Sequence, residues 1–190
     1  MAESVIFILI VGIGLVVLLW SLGITWIDPR IIIGFLFMLI LPGIYAAFTS
    51  GPFVPSARKR HKTMIKLAKL KKTDTIYDLG CGDGRLVFES AKIVKKAIGY
   101  ELSIPLVLFG NIRKLLTLSK AHIRFGNIWT QDYSKADVIF CYLLPNAMKT
   151  FYKEVWPKLK PGTRVISNAF QIHDIKPSKI EEKVYLYIKK

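Results

Sequence analysis

Acidic residues are scarce in this chain: 13 Asp and Glu stand against 28 Lys and Arg, a net charge of +15 over 190 residues. That balance excludes an acidic solvating chain and implies an anionic surface as partner, either nucleic acid or anionic lipid. Cysteine is scarcer still. Cys81 and Cys141 are too few and too far apart for a metal framework, and they read as buried free thiols in a reducing compartment. His61, His122 and His173 belong to no acid–nucleophile pattern and read as structural. Charge of either sign is nearly missing from the first third. Before Arg58 only Glu3, Asp28 and Arg30 are charged, so residues 58–190 hold 27 basic and 11 acidic residues, or +16.

What fills the charge-free region is apolar. Residues 4–27 and 31–57 carry no charge, and each exceeds the roughly 20 apolar residues that a spanning helix needs. Asp28-Pro29-Arg30 between them reads as a turn, because proline breaks a helix and two charges are costly in lipid. Trp20, Trp26 and Tyr45 suit headgroup level. A cleavable leader is not expected, since Glu3 opens the chain without Lys or Arg. The expectation is a transmembrane helical hairpin over residues 1–50; Pro42-Gly43 leaves open one span plus a kinked or re-entrant segment. Eight basic residues from Arg58 to Lys72, against Arg30 alone in the turn, predict a membrane protein with its C-terminal domain on the cytoplasmic side.

Residues 51–72 form a linker and a basic helix. Pro52 and Pro55 forbid a helix through Gly51-Pro52-Phe53-Val54-Pro55-Ser56, and Ser56 suits an N-cap. Met64, Ile65, Leu67, Ala68 and Leu70 then make an apolar stripe beside Lys and Arg. Such a helix can lie on an anionic leaflet, at about 1 kcal/mol per basic residue. It can equally be the first helix of a domain with a solvated basic face. The two readings are compatible.

The rest of the chain, residues 73–190, is organised around Asp78-Leu79-Gly80-Cys81-Gly82-Asp83-Gly84-Arg85. An expected strand over 75–79 enters this run and an expected helix over 85–95 leaves it. Strand, glycine loop and helix together put a nucleotide-like ligand at the carboxyl edge of a parallel sheet. The third glycine falls one residue earlier than in a dinucleotide fingerprint, and Asp78 would repel a pyrophosphate but welcome an ammonium. A bare tight connection between strand and helix is the plain alternative. A second strand, 97–101, ends on Glu101, 23 residues beyond Asp78. That spacing suits a carboxylate accepting both ribose hydroxyls; a surface Glu is the alternative. Ser103 and Pro105 open a helix. Strands are expected at 121–126, 136–142 and 163–169, with a helix over 145–159 and a last antiparallel edge strand at 184–188. Asn127 after Gly126 is also a good turn former.

The run from Asp78 to Gly84 resembles motif I of the class I S-adenosylmethionine-dependent methyltransferases, an acid followed by x-G-x-G-x-G. With Pro52-Phe53-Val54-Pro55-Ser56, Gly99-Tyr100-Glu101 and the strand end closing on Pro145, residues 50–170 resemble one family in particular. These are the membrane-anchored protein-lysine methyltransferases acting on the ATP synthase c-subunit and the adenine nucleotide translocase. The resemblance implies an α/β Rossmann-like methyltransferase fold with a mostly parallel seven-stranded sheet behind the membrane hairpin. It implies S-adenosylmethionine as cofactor, touched by Pro52, Phe53, Val54, Pro55, Asp78, Gly80, Gly82, Asp83, Gly84, Glu101, Asn127, Ile128 and Tyr142. Asn127 would meet the adenine, and Tyr142 would also steer the acceptor amine. The implied product is a methylated lysine on a protein, a membrane protein given the anchor. The Asn/Asp-Pro-Pro-Tyr tetrapeptide is absent at strand four, which argues against DNA adenine and glutamine targets. A methyltransferase for a lipid or small amphiphile is the rival reading. Nucleic acid is disfavoured as a partner, because the basic residues lack aromatic interleaving.

Overall fold

The computed structural model describes residues 13, 14, 17–23, 28–49, 58–173 and 175–190. Among the helices that precede the sheet are α1, Pro29–Thr49, and α2, Arg58–Ala68. Then follow β1 (Thr75–Leu79), α3 (Arg85–Ser90), β2 (Lys96–Glu101), α4 (Ile104–Thr117), β3 (His122–Phe125), β4 (Val138–Cys141), α5 (Pro145–Thr150), β5 (Arg164–Asn168), β6 (Lys179–Glu181) and β7 (Val184–Ile188). The seven strands form one sheet in the order β3-β2-β1-β4-β5-β7-β6. The first five are parallel; β7 and β6 run antiparallel. Strand order reverses between β1 and β4, the point where open α/β sheets bind ligands.

Alternate strand residues enter two separate cores, as the twofold period of a strand requires. Tyr77, Leu79, Ile98, Ile139 and Val165 pack on the α5 face. Ile76, Ala97, Ile123, Val138, Phe140 and Ile166 pack on the face covered by α2, α3 and α4. Both faces are buried, so strands such as Val138–Cys141 are apolar throughout.

Several expectations need correction. The stripe of α2 does not face lipid: Met64, Leu67 and Ala68 are buried against the sheet. Lys59 and Lys66 on its outer side pair with Glu182 and Glu181, and Arg60 donates to Asn168. An amphipathic helix meets a protein core and a bilayer with the same pattern, and here the core has it. The expected edge strand β7 lies one place in from the edge, covered by the short β6. Helix 85–95 stops at Ser90, and helix 145–159 widens to a π-turn at Phe151–Val155 before a 3-10 turn at Trp156–Lys158. Pro157 has no N–H to continue the helical ladder.

The expected membrane hairpin is not among what the structure describes. Most of residues 4–27 lies outside the described residues, and so does the linker from Pro52 to Ser56. Among the described residues no helix is long and apolar enough to cross a membrane. What α1 does show is a row of exposed apolar side chains, including Ile31, Ile33, Phe37, Met38 and Leu41.

Candidate active site

The parallel register brings the ends of β1, β2 and β4 to one edge, with Leu79 beside both Tyr100 and Cys141. The loop leaving β1 is stitched to β2: the Gly80 and Cys81 N–H groups both donate to the Tyr100 carbonyl at 3.0 Å. Gly80, Gly82 and Gly84 all take positive φ, at 74°, 57° and 75°. Their duties differ. A Cβ on Gly84 would come within 2.6 Å of Ile123 Cδ1, so this glycine lets α3 sit close on the sheet. A Cβ on Gly80 would meet nothing within 4 Å. The backbone there faces open space, which is where a ligand can approach it.

Glu101 is the most firmly held group of the edge. Its Oε2 accepts from the Gly82 N–H at 2.9 Å, and its Oε1 from the Leu102 and Ser103 N–H groups at 2.9 and 2.8 Å. Three backbone donors fix the carboxylate and leave one of its four lone-pair sites for a hydroxyl. Asp78, only 7 % exposed, lies in the same cluster. Burial, and then the charges of Glu101 and Asp83, push its carboxyl up to about 7. A cationic ligand reverses that balance. Burial also pushes the Cys81 thiol well up, helped by Asp78 and Glu101, so this cysteine stays protonated and inert.

Asp83 turns away to Arg85, which binds it at 2.5 Å. Both line a cleft of about 670 Å³ between α2, α3 and α4, together with Lys59, Lys62, Glu89, Phe109 and Arg113. Asn127 has its Oδ1 on the Trp129 N–H at 3.0 Å, capping the 3-10 turn Ile128–Thr130. Ile128 is buried in the core, where Tyr133 Oη donates to its carbonyl. Half-buried Trp129 is packed against that core.

Tyr142 stands just past β4 and is partly exposed. Phe170, just past β5, stacks on it with ring centres 6.1 Å apart and planes 23° from parallel. The turn that carries Phe170 is pinned by Ser167 Oγ, which donates to the Phe170 carbonyl at 2.5 Å. Sequence reading missed Phe170. Its signal was an aromatic one residue beyond a strand expected to end at the same edge. Pro52, Phe53, Val54 and Pro55 lie outside the described residues.

Residues 78–179 match the family described as the ANTKMT methyltransferase domain. The chain belongs to this family. A Saccharolobus islandicus protein-lysine N-methyltransferase is 38% identical over 149 residues, which cover 72% of this chain and 92% of that protein. The Xenopus laevis lysine N-methyltransferase of the ATP synthase c-subunit is 29% identical over 131 residues, 68% of this chain and 58% of its own length. Among solved structures, an RNA methyltransferase from Salinibacter ruber in complex with S-adenosyl-L-homocysteine superposes with a TM-score of 0.68 at 29% identity, covering 72% of this chain and 94% of that one. The cofactor of this ANTKMT-family methyltransferase is S-adenosylmethionine. The residues present fit it: open backbone at Gly80, a carboxylate held for hydroxyls at Glu101, and a buried acid at Asp78 for positive charge.

Proposed function

We propose that this enzyme methylates a lysine side chain of a protein, and that the protein is a membrane protein reached from the cytoplasmic leaflet. The observation that carries the lysine reading is the Tyr142–Phe170 pair at the mouth of the site. Two aromatic faces beside a reacting centre suit an ammonium and its alkyl stem, at about 0.5–2 kcal/mol for the cation. The names of the relatives agree with it.

S-adenosylmethionine, when bound, supplies a methyl group activated by its sulfonium. The chain's own residues orient and desolvate. Glu101 fixes the ribose, Asp78 meets the cofactor's positive charge, and the Gly80–Gly84 loop brings backbone close to it. The acceptor amine must lose a proton. From a pKa near 10.4 this costs about 4–5 kcal/mol at neutral pH, and the aromatic pair, which favours the ammonium, does not lower it. Catalysis therefore rests on positioning.

The membrane part of the reading is supported by the uncharged residues 4–27 and 31–57. It takes residues 1–50 as a two-helix anchor with Arg30 outside and both termini inside. The test is methyl transfer from labelled S-adenosylmethionine by the full chain to a membrane extract and to RNA. Label is expected on lysine of a membrane protein, and lost with Glu101→Ala. Label on lipid or RNA alone would replace this reading.

A further inference from the structure

One helix of the domain is built inside out. α4 turns Val107 and Gly110 to the sheet, close enough that a Cβ on Gly110 would lie 3.1 Å from Ile123. Its outer side carries Leu108, Phe109, Ile112, Leu115 and Leu116, with Leu118 following. The spacing of three and four residues makes these one continuous stripe along the helix. They are not half-hidden: Leu115, Leu116 and Leu118 are 75, 79 and 88 % exposed. Apolar surface on the order of several hundred Å² is what a folded domain keeps only where something covers it.

We infer that the outer face of α4 rests on an anionic lipid bilayer. Three features beside the stripe select that occupant. Basic residues border it at both ends. At the C-terminal end Lys114 lies on α4 itself and exposed Lys120 just beyond it. At the other end Phe109 and Arg113 line the cleft that also holds Lys59, Lys62 and Arg85, against Asp83 and Glu89. An apolar stripe rimmed by cations matches acyl chains below a layer of phosphates. The third feature is continuity. α1 crosses the start of α4, where a Cβ on Gly43 would touch Ser103 at 3.4 Å, and α1 exposes its own apolar row. The two helices touch there. In this arrangement the stripe sinks among acyl chains, and the cleft by Phe109 takes lipid phosphate between Lys62 and Arg113. The domain is thereby oriented with the entrance of α4, next to Glu101, near the lipid.

This inference rests on the membrane part of the proposed function and is independent of the lysine. The test uses the full chain with a photoreactive benzoylphenylalanine in place of Leu116, mixed with vesicles of phosphatidylcholine and phosphatidylglycerol. Mass spectrometry after irradiation reads the adduct. A lipid adduct at 116, and none when the probe replaces exposed Lys153 of the π-turn beyond α5, is the expected result. Adding Ile112→Glu should lower it about tenfold by removing apolar burial and adding repulsion, with cofactor binding unchanged. An adduct to a second copy, or to residues 1–57 of the same chain, overturns the inference. If the full chain stays bound to vesicles while position 116 labels no lipid, α4 is wrong and the anchor stands. If it does not bind vesicles at all, both fall.

Discussion

Two acids a few residues apart in space do opposite jobs because their surroundings differ. Glu101 accepts from three N–H donors, which fix it in place with one acceptor site left for a hydroxyl. Replacing it by alanine should weaken S-adenosylmethionine binding by about 1.5–3 kcal/mol, since a charge-assisted bond to a hydroxyl is lost. Calorimetric titration of the variant against the parent measures this directly. For Asp78, burial and then the neighbouring charge of Glu101 raise the carboxyl to about 7. The folded protein thus holds a proton that the unfolded chain releases near pH 4. That stabilisation is full below the unfolded value and is lost as pH rises through about 7. A cofactor carrying positive charge favours the ionised acid, so binding should release a proton below about pH 7 and tighten as pH rises through it. Titrations in buffers of different ionisation enthalpy read the proton count; Asp78→Asn should abolish both the release and the pH dependence. An unchanged profile in that variant would remove Asp78 from the cofactor's charge.

At the scale of elements, one arginine ties α2 to the sheet. Arg164 of β5 donates to the carbonyls of Ala68 and Lys69 at the end of α2 and pairs with buried Asp74 at 2.7 Å. Arg164→Ala strips the last turn of its donor and leaves buried Asp74 without its cation, with the Lys71 N–H still donating to it, at a cost of about 3–5 kcal/mol. Thermal unfolding should fall by on the order of 10 °C, with Glu101 and the glycine loop untouched. Such ties were not legible in the sequence, because Arg164 and Asp74 are 90 residues apart and both residue types are ordinary at strand ends. The strands of the core were legible: runs such as 75–79 and 97–101 are apolar, end on glycine or acid, and fall where expected. β6 was not. Lys179-Ile180-Glu181 is three residues long and largely polar, and only the pairing of its backbone with β7 makes it a strand. Asn127 was ambiguous for a physical reason, since one amide can cap a turn and face a base; its Oδ1 does the first here. The two amphipathic helices show the limit of pattern. α2 has a clear apolar stripe that the core consumes, whereas α4 is apolar on most sides, and nothing in its sequence says which side stays outside.

The whole molecule divides its tasks between a small catalytic sheet and the surfaces around it. Both described cores and the described strands lie within residues 58–190. The same residues carry the +16 of charge, and the connections that follow β3, β4 and β5 are residues 126–137, 142–144 and 169–178. No inserted unit among the described residues is left to choose a substrate. On the proposed membrane placement, selection falls to position: an enzyme held at a bilayer meets membrane proteins at high effective concentration without any new contact. Removing residues 1–50 should therefore leave S-adenosylmethionine affinity within about twofold, while methylation of a membrane substrate falls by about 10²-fold, as loss of tethering alone predicts. A short detergent-solubilised peptide bearing the acceptor lysine should be methylated equally by both forms, because it never used the tether. The comparison separates addressing from chemistry. Equal loss on peptide and membrane substrate would mean that residues 1–50 complete the site itself, most simply by seating the Pro52–Pro55 segment that follows them.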